Sequence, residues 1–291
     1  MVDGSGGSCY IGEIDETTVL KYAQPGENPD QVRIEAKILD VLGPHPRIIQ
    51  SQGLTEHGLL LEFMPNGNVY DYLLAHPDVS LDRRLVWCVQ AAEAVAFIHS
   101  RRVLHCDIRH DNFLVDANLD LRLADFQGLH FSPAGEVLFD GGSCESVRAS
   151  LPRSHPFRSC VRSDLFALGS AIQFLVTGAK VFPDIVKCND TQEDVLRWFH
   201  EGVPEVERRF RACEFPPVDE HACSAVTARC WRQLYKTADQ VLADLKAIRA
   251  AVARGDAPET CVTPPDGSEQ PCEEEEPWNP PATRGQDLVG V

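Results

Sequence analysis

Residues 105–128 read HCDIRHDNFLVDANLDLRLADFQG, and the fold of the whole chain turns on what this stretch is. Asp107 is followed five residues later by Asn112, and a second acid, Asp125, stands directly before Phe126. Two short apolar-alternating runs, residues 113–115 and 121–124, flank a polar turn at 116–120, which is a hairpin pattern. Closing that hairpin brings Asn112 next to Asp125. An acid and an amide at this spacing suit phosphoryl transfer, which asks the protein for positioning and charge rather than covalent chemistry. Asp107 would accept the proton of an attacking hydroxyl. Asn112, through its amide oxygen, and Asp125, through its carboxylate, form the all-oxygen ligand set that Mg²⁺ prefers.

Working outward, residues 81–99 show helical periodicity, with Leu85, Val89, Ala92, Ala96 and His99 on one face. Residues 129–153, which contain Gly141-Gly142 and several serines, read as a long loop. Residues 164–178 form a nearly all-apolar helix ending in Gly, which belongs in a core. Residues 192–200, 203–211, 224–231 and 238–252 are further helix candidates. Upstream, residues 9–14 and 17–22 read as strands joined through Asp15-Glu16, with Lys21 in the second. Taken alone, a lysine in a strand points to solvent. Residues 30–42 form a helix capped by Asp30, with Ile34, Ile38, Val41 and Leu42 on its apolar face and Glu35 beside it. Two more strands follow at 48–53 and 59–63, then the turn Pro65-Asn66-Gly67.

The 291 residues suffice for one large domain or two small ones. Net charge is −17, and residues 256–291 carry nine acids against one Arg, together with seven prolines. That segment reads as a disordered acidic tail. So acidic a chain, without a basic stripe, argues against a nucleic-acid binder. No apolar run approaches the roughly 20 residues of a membrane helix, and the opening MVDGSGGS is unlike a secretory signal. The 11 cysteines include no CxxC pair, and Cys213, Cys223 and Cys230 with His221 match no common zinc spacing. Reduced thiols point to the cytoplasm or nucleus. We expect a monomer.

In order along the chain, these residues resemble a eukaryotic-type protein kinase, of the divergent kind common in filamentous fungi, over residues 4–252. His105-Cys106-Asp107, closed by Asp111-Asn112, is similar to the catalytic-loop HRD motif, and Asp125-Phe126-Gln127 to DFG. Val19-Leu20-Lys21 resembles the strand carrying the ATP lysine, with Glu35 as its helix partner. Glu62-Phe63-Met64 looks like the hinge behind a Leu61 gatekeeper, Pro152 like the centre of the APE motif, and Asp164 with Leu168-Gly169 like the buried helix that steadies the catalytic loop. The resemblance implies a two-lobed α+β fold: a small lobe (1–62) with an antiparallel sheet and one helix, a hinge (62–66), a mainly helical large lobe (67–254), and the tail (255–291). It implies ATP and Mg²⁺ as cofactors. Asp107, Arg109 and Asn112 would be catalytic, and Gly6, Gly7, Lys21, Glu35, Glu62, Met64 and Asp125 would bind ATP, with Asn112 and Asp125 holding the metal. A protein would be the substrate, and its identity is not legible.

Four positions depart from the pattern. The glycine-rich loop retains Gly4, Gly6 and Gly7 but places Tyr10 near its last glycine, which predicts weak ATP affinity. Cys106 replaces the Arg that receives an activation-loop phosphate, so activity should not depend on phosphorylation of that loop. Gln127 replaces the DFG glycine. Arg153 stands where APE has Glu, so the usual Glu–Arg pair is expected to be missing. Arg109 in the lysine position and Ser146 ahead of Pro152, where it could hydrogen-bond Asp107, favour a serine or threonine acceptor. The readings left open are an active protein kinase, a pseudokinase that binds nucleotide or acts as a scaffold, and a kinase of small metabolites.

Overall fold

The computed structural model describes residues 9–153, 158–185, 192–217 and 221–256. Gly6 and Gly7 lie outside the described residues, as does the expected disordered tail from residue 257 onward.

The chain opens with an antiparallel hairpin of β1 (Cys9–Asp15) and β2 (Thr18–Ala23). Asp15 closes the turn, its Oδ1 accepting from the Thr17 amide and hydroxyl, each at 2.8 Å. After α1 (Asp30–Leu42) comes a second hairpin, β3 (Ser51–Thr55) and β4 (Gly58–Glu62), and the four-stranded sheet has the order β1-β2-β4-β3. Helix α1 lays Val32, Ala36, Ile38, Leu39 and Leu42 on this sheet.

The strand expected at 48–53 begins only at Ser51. The residues before it are diverted to the other lobe: the Ile49 amide donates to the Leu123 carbonyl at 2.9 Å, and the Leu123 amide to the Arg47 carbonyl at 2.8 Å. Their backbone groups are satisfied across the lobes, and Ile48 and Ile49 are buried there.

The larger lobe is mainly helical. Helix α2 (Val69–Ala75) is capped by Asn68, whose side chain accepts from the Asp71 amide. Helix α3 (Leu81–Ser100) packs against α4 (Val161–Thr177) and α8 (Ala238–Arg254). The single apolar face expected for α3 was too narrow, because Arg84, Trp87, Gln90, Ala91 and Ala94 are buried as well. Neighbours on several sides cause this, and they also satisfy its polar groups. Gln90 bonds Asp120 at 2.6 Å and the Leu121 amide at 2.9 Å, and Trp87 Nε1 donates to the Leu119 carbonyl at 2.7 Å. Helix α4 ends at Gly178, in the left-handed region at φ 73°. Within it, Gly169 lets α7 (Ser224–Trp231) approach closely, since a Cβ there would stand 2.6 Å from Cys230 Cβ.

The expected loop at 129–153 holds a hairpin instead. After β5 (Val103–Leu104) and the β6 (Phe113–Val115) and β7 (Leu121–Leu123) pair come β8 (Leu129–Phe131) and β9 (Val137–Asp140), with sheet order β5-β8-β9. Its turn is Ser132-Pro133-Ala134-Gly135, with the Ser132 hydroxyl accepting from the Ala134 and Glu136 amides. The Ser-Pro-Ala-Gly run is a turn signal legible in the sequence. The helix expected at 192–200 is α5 (Gln192–Arg197), followed by a π-helical turn (Trp198–Gly202) and then α6 (Val203–Arg211). Among the described residues no helix is long and apolar enough to cross a membrane.

Candidate active site

A cleft of about 530 Å³ opens between the sheet and the helical lobe. Strand periodicity builds its roof. Cys9, Ile11 and Glu13 of β1 and Val19 and Lys21 of β2 all line it. Alternate residues share a face, and the register pairs Ile11 with Lys21 and Glu13 with Val19. Leu61, paired with Val19 on β4, continues the same face. Lys21 therefore points inward, only 6% exposed, against the ordinary expectation for a strand lysine.

What holds it there is a pair of carboxylates. Lys21 Nζ lies 2.6 Å from Glu35 Oε2 and 2.5 Å from Asp125 Oδ1. Burial disfavours the ammonium, but the two acids outweigh it and raise its pKa. Burial also pushes Asp125 up, and Lys21 overrules this and holds it below the usual carboxylate range. Glu35 is fully buried, which raises its pKa, with Lys21 opposing and Asp125 adding to the rise. Its other oxygen accepts the Phe126 amide at 3.2 Å, which ties α1 to the segment carrying Asp125. Asp125 itself is in the left-handed region at φ 68°. Phe126 is buried edge-on against His105, with ring centroids 5.1 Å apart, and His105 Nε2 bonds the Ala124 carbonyl at 2.9 Å.

The catalytic-loop candidates sit across the cleft. Pairing of β6 with β7, extended by the Ala124 amide donating to the Asn112 carbonyl at 2.9 Å, brings Asn112 beside the Asp125 strand. Asn112 Nδ2 donates to the Asp107 carbonyl at 2.8 Å and to Asp107 Oδ2 at 3.2 Å. Its amide oxygen takes no part in these two bonds. Asp107 Oδ1 is buried without a partner among the described residues. Burial raises the Asp107 pKa, opposed by Arg109, whose Nε is 3.2 Å from Oδ2. The loop is pinned from beneath by Asp164, fully buried in α4, which accepts from the His105 and Cys106 amides at 2.9 and 3.0 Å and contacts His99 Nε2 at 2.9 Å.

Glu62 and Met64 both line the cleft, but they differ in what they offer. The Glu62 carboxylate is occupied, accepting from the Gln50 amide at 2.8 Å and from Arg122 at 2.9 Å. The expected ATP contact from this residue is thus left to its main chain. Met64 has its carbonyl bonded to the Gly67 amide.

Cys106 is buried with φ 64°, and burial pushes its thiol well up. At the position of the usual Glu–Arg pair, Arg153 instead bonds an acid of its own segment, Glu145: Nη1 and Nη2 lie 2.9 and 2.8 Å from the two carboxylate oxygens. The pair is almost completely buried, and Ser150 and Ser159 hydroxyls also donate to Glu145. The acid lies eight residues upstream of Arg153, outside the motif position that the resemblance points to.

Several lining residues were not anticipated. Gln31 lies four residues before Glu35 on α1, hence on the same face, and its Oε1 is buried without a partner among the described residues. That spacing was a usable signal. Gln127 points into the cleft, 3.8 Å from Cys9 Sγ, and the Ser143 amide donates to its carbonyl. Gly142, Ser143 and Cys144 thereby reach the cleft wall.

Compared with protein families, residues 4–233 match the protein kinase domain. Among curated proteins, the chain is 31% identical over 163 residues to the serine/threonine-protein kinase SIK2 of Gallus gallus, covering 53% of this chain and 20% of that protein. It is 27% identical over 196 residues to the RasGEF domain-containing serine/threonine-protein kinase X of Dictyostelium discoideum, covering 64% and 20%. It is 30% identical over 193 residues to the wall-associated receptor kinase-like 14 of Arabidopsis thaliana, covering 61% and 27%. The match thus spans less than a third of each of these relatives. With the family match covering most of its length and the sheet-and-helix lobes closing on one cleft, the chain belongs to the protein kinase family.

Proposed function

We propose that the chain is an ATP-dependent protein kinase that transfers the γ-phosphoryl group to a serine or threonine hydroxyl of a protein. The observation that carries this reading is Asp107, a half-buried carboxylate with one oxygen tethered by Asn112 and the other without a partner among the described residues, lining the same cleft as Lys21 and Asp125. The acceptor hydroxyl would lie against Oδ1. Its oxygen bonds the γ-phosphorus as the bond to the β–γ bridging oxygen breaks. The hydroxyl proton passes to Asp107, and the electron pair leaves with ADP. Lys21 anchors the phosphates, and Arg109 keeps positive charge beside the transferred group.

Asn112 and Asp125 fit Mg²⁺. The Asn112 amide nitrogen is committed to Asp107, so its oxygen and the Asp125 carboxylate make a hard donor set. The metal, when bound, neutralises phosphate charge. As part of the same reading we assign residues 1–62 to the small lobe, 62–66 to the hinge, 67–254 to the large lobe and 255–291 to an acidic tail, in a monomer of the cytoplasm or nucleus.

Phosphate incorporation from labelled ATP into a generic serine/threonine substrate tests the proposal. Asp107→Asn should lower turnover by about 10²–10⁴-fold, the usual range for a lost general base. Turnover that survives this change would put the base elsewhere. One observation favours a pseudokinase as second reading: Gln127, in a position the family leaves to glycine, links the Asp125 motif to the roof strand at Cys9. Nucleotide binding without incorporation by the wild type would select it.

A further inference from the structure

Beside the main cleft is a second, smaller hollow of about 30 Å³, with room for one small polar group. The two share Arg109, whose Nε is 3.2 Å from the Asp107 carboxylate. The hollow therefore begins one side chain away from the candidate base. Its lining includes three cations, Arg109, Arg148 and Lys180, and no carboxylate. In a chain of net charge −17, this is a local reversal of sign.

The cations are held in place. Lys180 is exposed, yet its ammonium sits over the Tyr70 ring, 4.4 Å from the centroid. Tyr70 in turn stacks on His110 of the catalytic loop at 5.0 Å, and the His110 ring meets Phe174 of α4 at a tilt, 4.3 Å between centroids. Arg148 donates to the Val181, Phe182 and Ile185 carbonyls and covers the Trp198 ring at 4.6 Å. These neutral partners fix the guanidinium, and the Asp184 carboxylate acts on its charge without a direct contact. The nearby acids reach the hollow's cations only in part, through Arg109. Asp111 is 3.1 Å from His110 Nδ1 and 3.7 Å from Arg109 Nε, and Asp184 is held through both oxygens by Arg209 at 3.0 and 2.6 Å. Among the described residues Lys180 has no carboxylate in direct contact, though its charge reaches Asp111.

We propose that this hollow reads an acidic side chain, Asp or Glu, on the protein substrate, one or two residues from the accepting hydroxyl. The inference rests on the kinase reading and names the substrate class of that site. One charge-assisted contact of about 1.4 kcal/mol corresponds to a tenfold preference.

The test uses serine peptides identical except for Glu, Gln, Lys or phosphoserine flanking the acceptor. In the wild type, kcat/KM should be about tenfold higher for the Glu peptide than for the Gln peptide, and lowest for Lys. Lys180→Glu, at an exposed position that should not perturb folding, should place Lys above Glu. Equal rates on Glu, Gln and Lys peptides, or a Glu preference that persists in Lys180→Glu, would overturn the proposal. So would preference for phosphoserine with none for Glu. If no peptide is phosphorylated, the kinase reading fails, and fluorescence anisotropy of the same labelled peptides still decides this one. Tighter binding of the Glu peptide that is lost in Lys180→Glu supports it, and equal binding refutes it.

Discussion

Asp107 carries the most consequential electrostatics at the scale of single residues. Burial raises its pKa above the ordinary aspartate value of 3.8, and Arg109 opposes the rise. A general base must be ionised, so the acid limb of kcat/KM against pH should lie above the ordinary aspartate value. Arg109→Gln removes the opposing charge and should move that limb to still higher pH while lowering kcat. A limb that moves down would contradict this assignment. The sign for folding is the reverse. A carboxyl whose folded pKa exceeds its unfolded one gains stability as pH falls through the folded value. Asp107→Asn should accordingly raise Tm near neutral pH, by on the order of a few degrees. Lys21 shows how far one residue can be read. Alone, it reads as a solvent lysine; with Glu35 it reads as a phosphate ligand, and their 2.6 Å contact fixes its direction.

At the scale of elements, the segment between β9 and α4 has its own lock. Where a phosphate-dependent kinase would hold this segment through an arginine in the position of Cys106, this chain has the buried Glu145–Arg153 pair with Ser150 and Ser159 attached. Removing one partner from a buried pair leaves an uncompensated charge and costs about 3–5 kcal/mol. Glu145→Ala should therefore shift the denaturant midpoint strongly downward, whereas Ser→Ala at positions 132, 143, 146 and 150 together should retain turnover. Loss of activity in the serine variant with an unchanged midpoint would restore dependence on phosphorylation. The helices expected at 203–211 and 224–231 are α6 and α7, with the same bounds. Periodicity failed for α3, since burial on several sides depends on which helices arrive around it.

At the scale of the whole molecule, the cleft exists only because two lobes contribute to it. Lys21 and Asp125 are separated by 104 positions in sequence and meet at 2.5 Å. A ligand that spans both lobes stabilises the folded state by mass action, by about 2.7 kcal/mol at 100 times its Kd. Mg²⁺–ATP should thus raise Tm of the wild type by roughly 5–10 °C, and by much less in Asp125→Ala or Lys21→Ala. No shift at millimolar ATP in the wild type would leave the cleft without its assigned ligand.

The linear sequence determined the order and identity of the chemical groups: Lys21, Glu35, Asp107, Asn112 and Asp125, spaced on a strand, a helix and a hairpin that local periodicity and turn chemistry specify. The fold class followed from that order. Only the tertiary structure decided which side chains face one another. It turned Lys21 inward, occupied the Glu62 carboxylate with Arg122, gave Arg153 a partner in Glu145, and gathered Arg109, Arg148 and Lys180 around one hollow. The reason is physical. Periodicity and caps act over one or two turns of chain, while ion pairs and cavities are contacts through space whose partners no local pattern encodes.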